Sequence, residues 1–256
     1  MSGTHDSWHR RVLENKATLF AVLTTVAMSV GGLVEILPMY TVAGNPIDVT
    51  GINPYTPLEV AGRDIYVREG CYNCHSQMVR PMRAETLRYG EWSRADEYAW
   101  DHPFQLGSRR IGPDLQRVGG KYPDAWHYQH MEDPRATSPG SIMPGYPWLL
   151  TDKVDPDDVT ASIGALTTLG MPFADTSPAG VKSALDAQSA GIVARLAEAK
   201  ITAAPDSEVV AMIAYLQHLG VDGRKKYGKA ADATLPATPP PTSGGIIPVD
   251  AIGGAP

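Results

Sequence analysis

Apolar positions along this chain fall into three regimes. Between Lys16 and Glu35 runs an unbroken stretch of eighteen uncharged residues, ATLFAVLTTVAMSVGGLV, and ILPMY extends it past the single acid. The stretch has no polar face, so it predicts a helix that needs apolar surroundings on every side. From Arg80 to Pro147 the pattern loses any long period, and GSRRIGPDL, RVGGKYPDAW and SPGSIMPGYPW are punctuated by glycine and proline. Such segments predict loops wrapped around something other than their own core, and Trp92, Trp100, Trp126 and Trp148 scattered among them fit a bulky apolar ligand. Helical spacing then returns. Asp155-Pro156 opens a helix with Val159, Ile163 and Leu166 on one side, ending at Gly170. Residues 181–200 predict another, and Asp206 is the expected cap of DSEVVAMIAYLQHLG, with Val209, Ile213 and Leu216 aligned.

A shorter helix precedes the loop-rich middle. Thr56-Pro57-Leu58-Glu59 combines a capping hydroxyl, a proline at the first helical position and a glutamate three residues after the cap. Leu58, Ala61, Ile65 and Tyr66 share a face, and Gly70 ends the run.

The N-terminal stretch sets the location. At ~1.5 Å per residue, roughly 20 residues cross a bilayer core, so residues 16–40 suffice as a transmembrane anchor. Arg10, Arg11 and Lys16 precede it and Asp48 and Glu59 follow, a bias that places residues 1–15 in the cytoplasm and the remainder outside it. The run is longer than a signal-peptide core and leads into GGLVEILPMY rather than a cleavage site, so a retained anchor is expected. Residues 41–56 read as a tether, 57–222 as the exported domain and 223–256 as a Pro/Gly-rich flexible tail. Composition adds one exclusion: a formal charge of -6 argues against a nucleic-acid partner.

The chemistry concentrates in GCYNCHSQMVRPM, which holds the only 2 cysteines of the chain. Two thiols are too few for a disulfide framework or a four-cysteine zinc site. A thioredoxin-like pair would open a helix in a strand-rich domain, and no convincing strand sequence surrounds it. C-x-x-C-H instead suits haem c: Cys71 and Cys74 reach the two vinyl groups from one turn, and His75 places an imidazole beneath the iron.

The opposite axial position has several candidates. Met78 and Met82 lie too near the attachment turn, and Met212 sits within a helix as core. Met143 stands 68 residues beyond His75 in SIMPGYPW, where Pro144 and Pro147 can hold a thioether rigidly. Met171 in GMPF is the main rival, and His127 or His130 would give a two-histidine site. Histidine with methionine leaves no vacant position for oxygen, which favours electron transfer over catalysis at this iron. Arg109, Arg110 and Arg117 are candidate propionate partners, with Trp126, Tyr146 and Trp148 as further donors.

These residues together resemble a known family. GGLVEILP, GRDIYVREGCYNCHSQMVRP, ETLRYGEWSRADEY, GSRRIGPDLQRVGGKYPDAWHYQHMEDPR and SIMPGYPWLL are similar to the membrane-bound monohaem cytochrome c subunit of cbb3-type cytochrome c oxidases, over roughly residues 8–220. The resemblance implies a mainly α fold: one N-terminal transmembrane helix, then a class I-like cytochrome c domain with long loop insertions. It implies covalent attachment through Cys71 and Cys74, axial ligation by His75 and Met143, and an interface or calcium contact at Ser108. Leu106 stands where the family pattern leads one to expect tryptophan, and Asp96 where glycine is usual.

The implied function is a single-electron relay in the bacterial inner membrane, with the haem domain in the periplasm. Electrons would come from a dihaem cytochrome c subunit or a soluble cytochrome c and pass to the haem-copper catalytic subunit that reduces oxygen to water. The chain lacks the histidine-rich transmembrane helices of that catalytic unit. Two other readings are a cytochrome c of a nitric oxide reductase or a free-standing membrane carrier, and a chiefly structural assembly subunit.

Overall fold

The computed structural model describes residues 8–41 and 47–228. Most of the expected tail, part of the tether and residues 1–7 lie outside the described residues. The chain divides into two units, Met1–Asp48 and Val49–Pro256.

In the first unit a short π-helical turn, Arg10–Glu14, precedes helix α1, Ala17–Thr41. Its apolar segment Ala17–Pro38 has a mean hydropathy of 1.9 and is not buried within the protein. A helix this apolar with no protein cover is suited to lipid rather than water.

The second unit is helical. It comprises α2 (Pro57–Arg68), α3 (Arg83–Tyr89), α4 (Asp124–Glu132), α5 (Pro134–Thr137), α6 (Pro156–Thr168), α7 (Pro178–Glu198), α8 (Glu208–His218) and α9 (Val221–Tyr227). Among the described residues the only β pairing is an isolated antiparallel bridge between Lys153 and Ser207. The mainly α expectation therefore holds.

The core is organised by α2 against α8. Thr56 closes a full capping box with Glu59, as its sequence predicts, and Leu58, Ala61, Ile65 and Tyr66 are buried. Gly62 makes the crossing close: a Cβ there would stand 2.0 Å from the Ala211 carbonyl oxygen. No other residue fits without separating the helices. Val209, Ile213 and Leu216 of α8 are buried, and α4, α6 and α7 add Met131, Val159, Ile163, Leu185 and Ile192 to the same cluster.

Several expectations shift. The cap of α8 is Ser207 rather than Asp206, whose carboxylate accepts from Lys153 at 2.7 Å. The stretch from Arg80 to Pro147 contains α3, α4 and α5 among its loops. Two of its tryptophans serve elsewhere, Trp100 donating to the Ile52 carbonyl at 3.1 Å and Trp92 lying beneath the Arg94 guanidinium. Residues 52–55, expected in the tether, are packed: Ile52 and Tyr55 are buried, and Asn53 donates twice to Asp222. Residues 223–227, expected in the tail, continue α9. Asp96 explains why this end stays folded, because its carboxylate accepts from Lys226 at 2.8 Å and from the Tyr227 hydroxyl at 2.5 Å.

Candidate haem site

Helix α2 stops at Gly70, which takes a left-handed conformation, and Cys71–Asn73 form a single 3-10 turn. The amides of Cys74 and His75 both bond the Cys71 carbonyl, at 3.1 and 3.0 Å. This turn brings both cysteines and the histidine to one edge. Both thiols are free; Cys74 is exposed, whereas burial, reinforced by the Glu69 charge, pushes the Cys71 thiol up to about 12.

Behind the turn lies the GPDL loop. His75 Nδ1 stands 2.8 Å from the Pro113 carbonyl oxygen. A carbonyl can only accept, so Nδ1 carries the proton and Nε2 keeps a free lone pair. Burial lowers the pKa of the imidazole, which favours the neutral, ligand-competent form. Gly112 backs directly onto the ring, and its amide donates to the Cys74 carbonyl at 2.9 Å. Further backbone bonds run from Leu115 to Ser76 and from Gln77 to Leu106, both 2.8 Å, so Leu106 serves here through its backbone.

Charged side chains lock this layer. Asp114 accepts from Ser76 Oγ at 2.7 Å and from the Met78 amide at 2.8 Å. Arg110 bonds Ser76 Oγ and the Met78 carbonyl, both at 2.7 Å, and pairs with Glu85 of α3. Arg117 is engaged elsewhere, with donors on both Glu97 oxygens and the Glu91 carbonyl. Arg109 and Ser108 are exposed, and the Ser108 carbonyl accepts from Arg80 at 3.3 Å. Among the described residues no cluster of three or more His, Cys, Asp or Glu side chains is arranged to hold a metal ion.

The loop carrying Met143 turns back onto α4. The Tyr146 amide donates to the Met131 carbonyl at 2.7 Å, and a Cβ on Gly145 would approach the Glu132 carbonyl oxygen to 2.7 Å. Met143 is half-buried beside the core. Tyr146 packs edge-on against Trp148 at 5.3 Å, and Trp148 Nε1 donates to Glu69 at 3.2 Å. Burial raises the Tyr146 hydroxyl pKa, with further contributions from Cys71 and Cys74. Trp126 stacks on Tyr122 at 4.1 Å and on His130 at 4.5 Å. Met171 is 2% exposed at the end of α6, in the hydrophobic core, and Met212 is buried within α8.

The chemistry fits haem c. Two free thiols on one turn, and a histidine whose Nδ1 is anchored while Nε2 is left open, suit such a group. Gly112 and Asp114 carry no signal of their own in the sequence, whereas His127, a candidate ligand by sequence, is buried with its Nε2 unpartnered. Only the G-P pair of GPDL signalled a special backbone there. A groove of about 860 Å³ lies between the start of α4, the end of α7 and Gln217.

No curated protein sequence matches the chain significantly. A family model described as "Cytochrome C oxidase, mono-heme subunit/FixO" matches residues 9–222. Members of this type are non-catalytic electron carriers of the cbb3-type oxidase, and the one helix among the described residues that is long and apolar enough to cross a membrane agrees with a single-pass inner-membrane subunit. The chain therefore belongs to the FixO family of mono-haem cytochrome c oxidase subunits.

Proposed function

We propose that the chain relays single electrons from a dihaem cytochrome c subunit, or a soluble donor cytochrome c, to the haem-copper subunit that reduces oxygen to water. Cys71 and Cys74 would hold one haem covalently, and His75 and Met143 would ligate its iron. When bound, the haem would supply reversible one-electron chemistry. The protein's own part is positional. Pro113 orients the imidazole, the Tyr146–Met131 bond fixes the loop that bears the thioether, and Trp148 ties that loop to Glu69. Arg109, with Tyr146, Trp126 and Trp148, is proposed as part of the haem surroundings. Arg110 contributes by bracing the His75 layer, and Arg117 stands apart because Glu97 occupies it.

One observation carries this reading: His75 is held by Nδ1 alone, with Nε2 left for the iron, in a chain whose family is an oxidase electron carrier. Met143 is preferred over Met171 because Met171 is enclosed in the helical core. Calcium at the boundary with the catalytic subunit, touched by Ser108, is proposed on family resemblance.

The test is single-turnover oxidation of the fully reduced, purified complex. Haem c of this chain should be reoxidised within one catalytic turnover, and a Met143→Ala complex that still assembles should pass electrons at least tenfold more slowly. An unchanged rate would contradict the relay. An assembled complex whose haem c never reoxidises would favour the assembly role.

A further inference from the structure

We infer that Asp114 is a positioning residue that sets the reduction potential of the haem by acting through His75, a role that rests on the haem c reading above. The inference starts from how two segments are joined. His75 Nδ1 donates to the Pro113 carbonyl at 2.8 Å, and the residues flanking each partner are bonded as well. The Gly112 amide donates to the Cys74 carbonyl at 2.9 Å, and the Leu115 amide donates to the Ser76 carbonyl at 2.8 Å. Ser76 Oγ completes the join by donating to Asp114 at 2.7 Å. Asp114 thus follows the carbonyl that holds the imidazole, and it grips the residue that follows the imidazole.

The carboxylate is enclosed and fixed. Its side chain is 0% exposed, and besides Ser76 it accepts from the Met78 amide at 2.8 Å and the Gln116 amide at 2.9 Å. A charge so placed is screened far less by water and salt than one on the surface. Among the described residues the cation paired with it is Arg110, 3.3 Å away, which is also paired with Glu85. Arg110 is divided between two carboxylates, so Asp114 is only partly neutralised. Negative charge beside a ligating imidazole strengthens the bond its Nδ1–H makes, raises its basicity and favours oxidised iron. Neutralising Asp114 removes that preference, whereas removing the Arg110 charge increases it.

The test is redox titration of the full-length haem-loaded chain in detergent, with optical spectra recorded alongside. Asp114→Asn should raise the midpoint potential, moving the equilibrium with an external one-electron couple by about threefold or more toward reduced haem. Arg110→Gln should move it the opposite way, and both variants should keep covalent haem and a low-spin spectrum. Opposite signs are the mark of charge, because lost packing alone gives no reason for the two to differ. Midpoints that shift in one direction for both variants, or that match the parent, would overturn the inference. If Asp114→Asn accumulates poorly, an unchanged or raised midpoint in Arg110→Gln overturns it alone. A parent chain without covalent haem would instead refute the haem c reading, a separable failure.

Discussion

Gly112 stands so close to His75 that a Cβ at position 112 would lie 2.2 Å from the imidazole Cε1 and 2.7 Å from Nε2. Those distances are far inside van der Waals contact, and the backbone here is fixed by the bond from the Gly112 amide to Cys74. The ring must therefore move if Gly112 gains a side chain. Gly112→Ala is predicted to keep its covalent haem, because the thioethers are elsewhere, but to weaken axial ligation. Haem content per chain should be unchanged while the spectrum turns to mixed spin. A fully low-spin spectrum in Gly112→Ala would show that the backbone yields instead.

Attachment itself depends on the 3-10 turn Cys71–Asn73. Replacing Cys71 and Cys74 together by alanine should abolish haem that survives denaturing electrophoresis. Haem staining of the separated polypeptide reads this directly, and retained stain would contradict attachment at these positions.

Arg117 and Glu97 form a two-fold hydrogen-bonded ion pair whose side chains are 3% and 2% exposed. Removing one partner leaves an uncompensated buried charge, a loss of about 3–5 kcal/mol. Arg117→Met should therefore lower the denaturant midpoint strongly, and Arg117→Met/Glu97→Gln should recover a good part of the loss. Equal midpoints for the single and double variants would mean that the pair acts only by packing.

Asp96 links the loop-rich middle to α9. Burial opposes its charge, but hydrogen bonds from Lys226 and Tyr227 outweigh burial and hold its pKa below the ordinary value. A carboxyl depressed in the folded state adds stability above its unfolded pKa of about 3.9, and that stability is lost as pH falls through the depressed value. Asp96→Asn should destabilise the protein at neutral pH, with the gap to the parent narrowing in acid. Paired denaturant melts across that range measure it. A gap that is constant with pH would exclude the linkage.

Where local rules and tertiary demands coincide, the sequence is readable. Thr56 with Glu59, and Asp155 with Pro156, start helices where capping chemistry predicts. The α4 segment was hidden because its buried positions, Asp124, His127 and Met131, include a carboxylate and an imidazole, so no apolar stripe marks it. Asp206 and Ser207 are both competent caps, and the bond from Asp206 to Lys153 is a long-range fact. Cys71, Cys74 and His75 announce themselves by spacing. The support around them does not, because Gly112 and Asp114 gain meaning only when distant segments meet.

This chain delivers electrons within an oxidase. Purification from membranes through a tag on this chain, with a reduced-minus-oxidised optical spectrum and the co-purifying polypeptides, tests it most directly. Covalent haem c together with b-type haem and a many-helix haem-copper subunit is the expected result. Haem c on an isolated chain, reproducibly free of those partners in mild detergent, would contradict it.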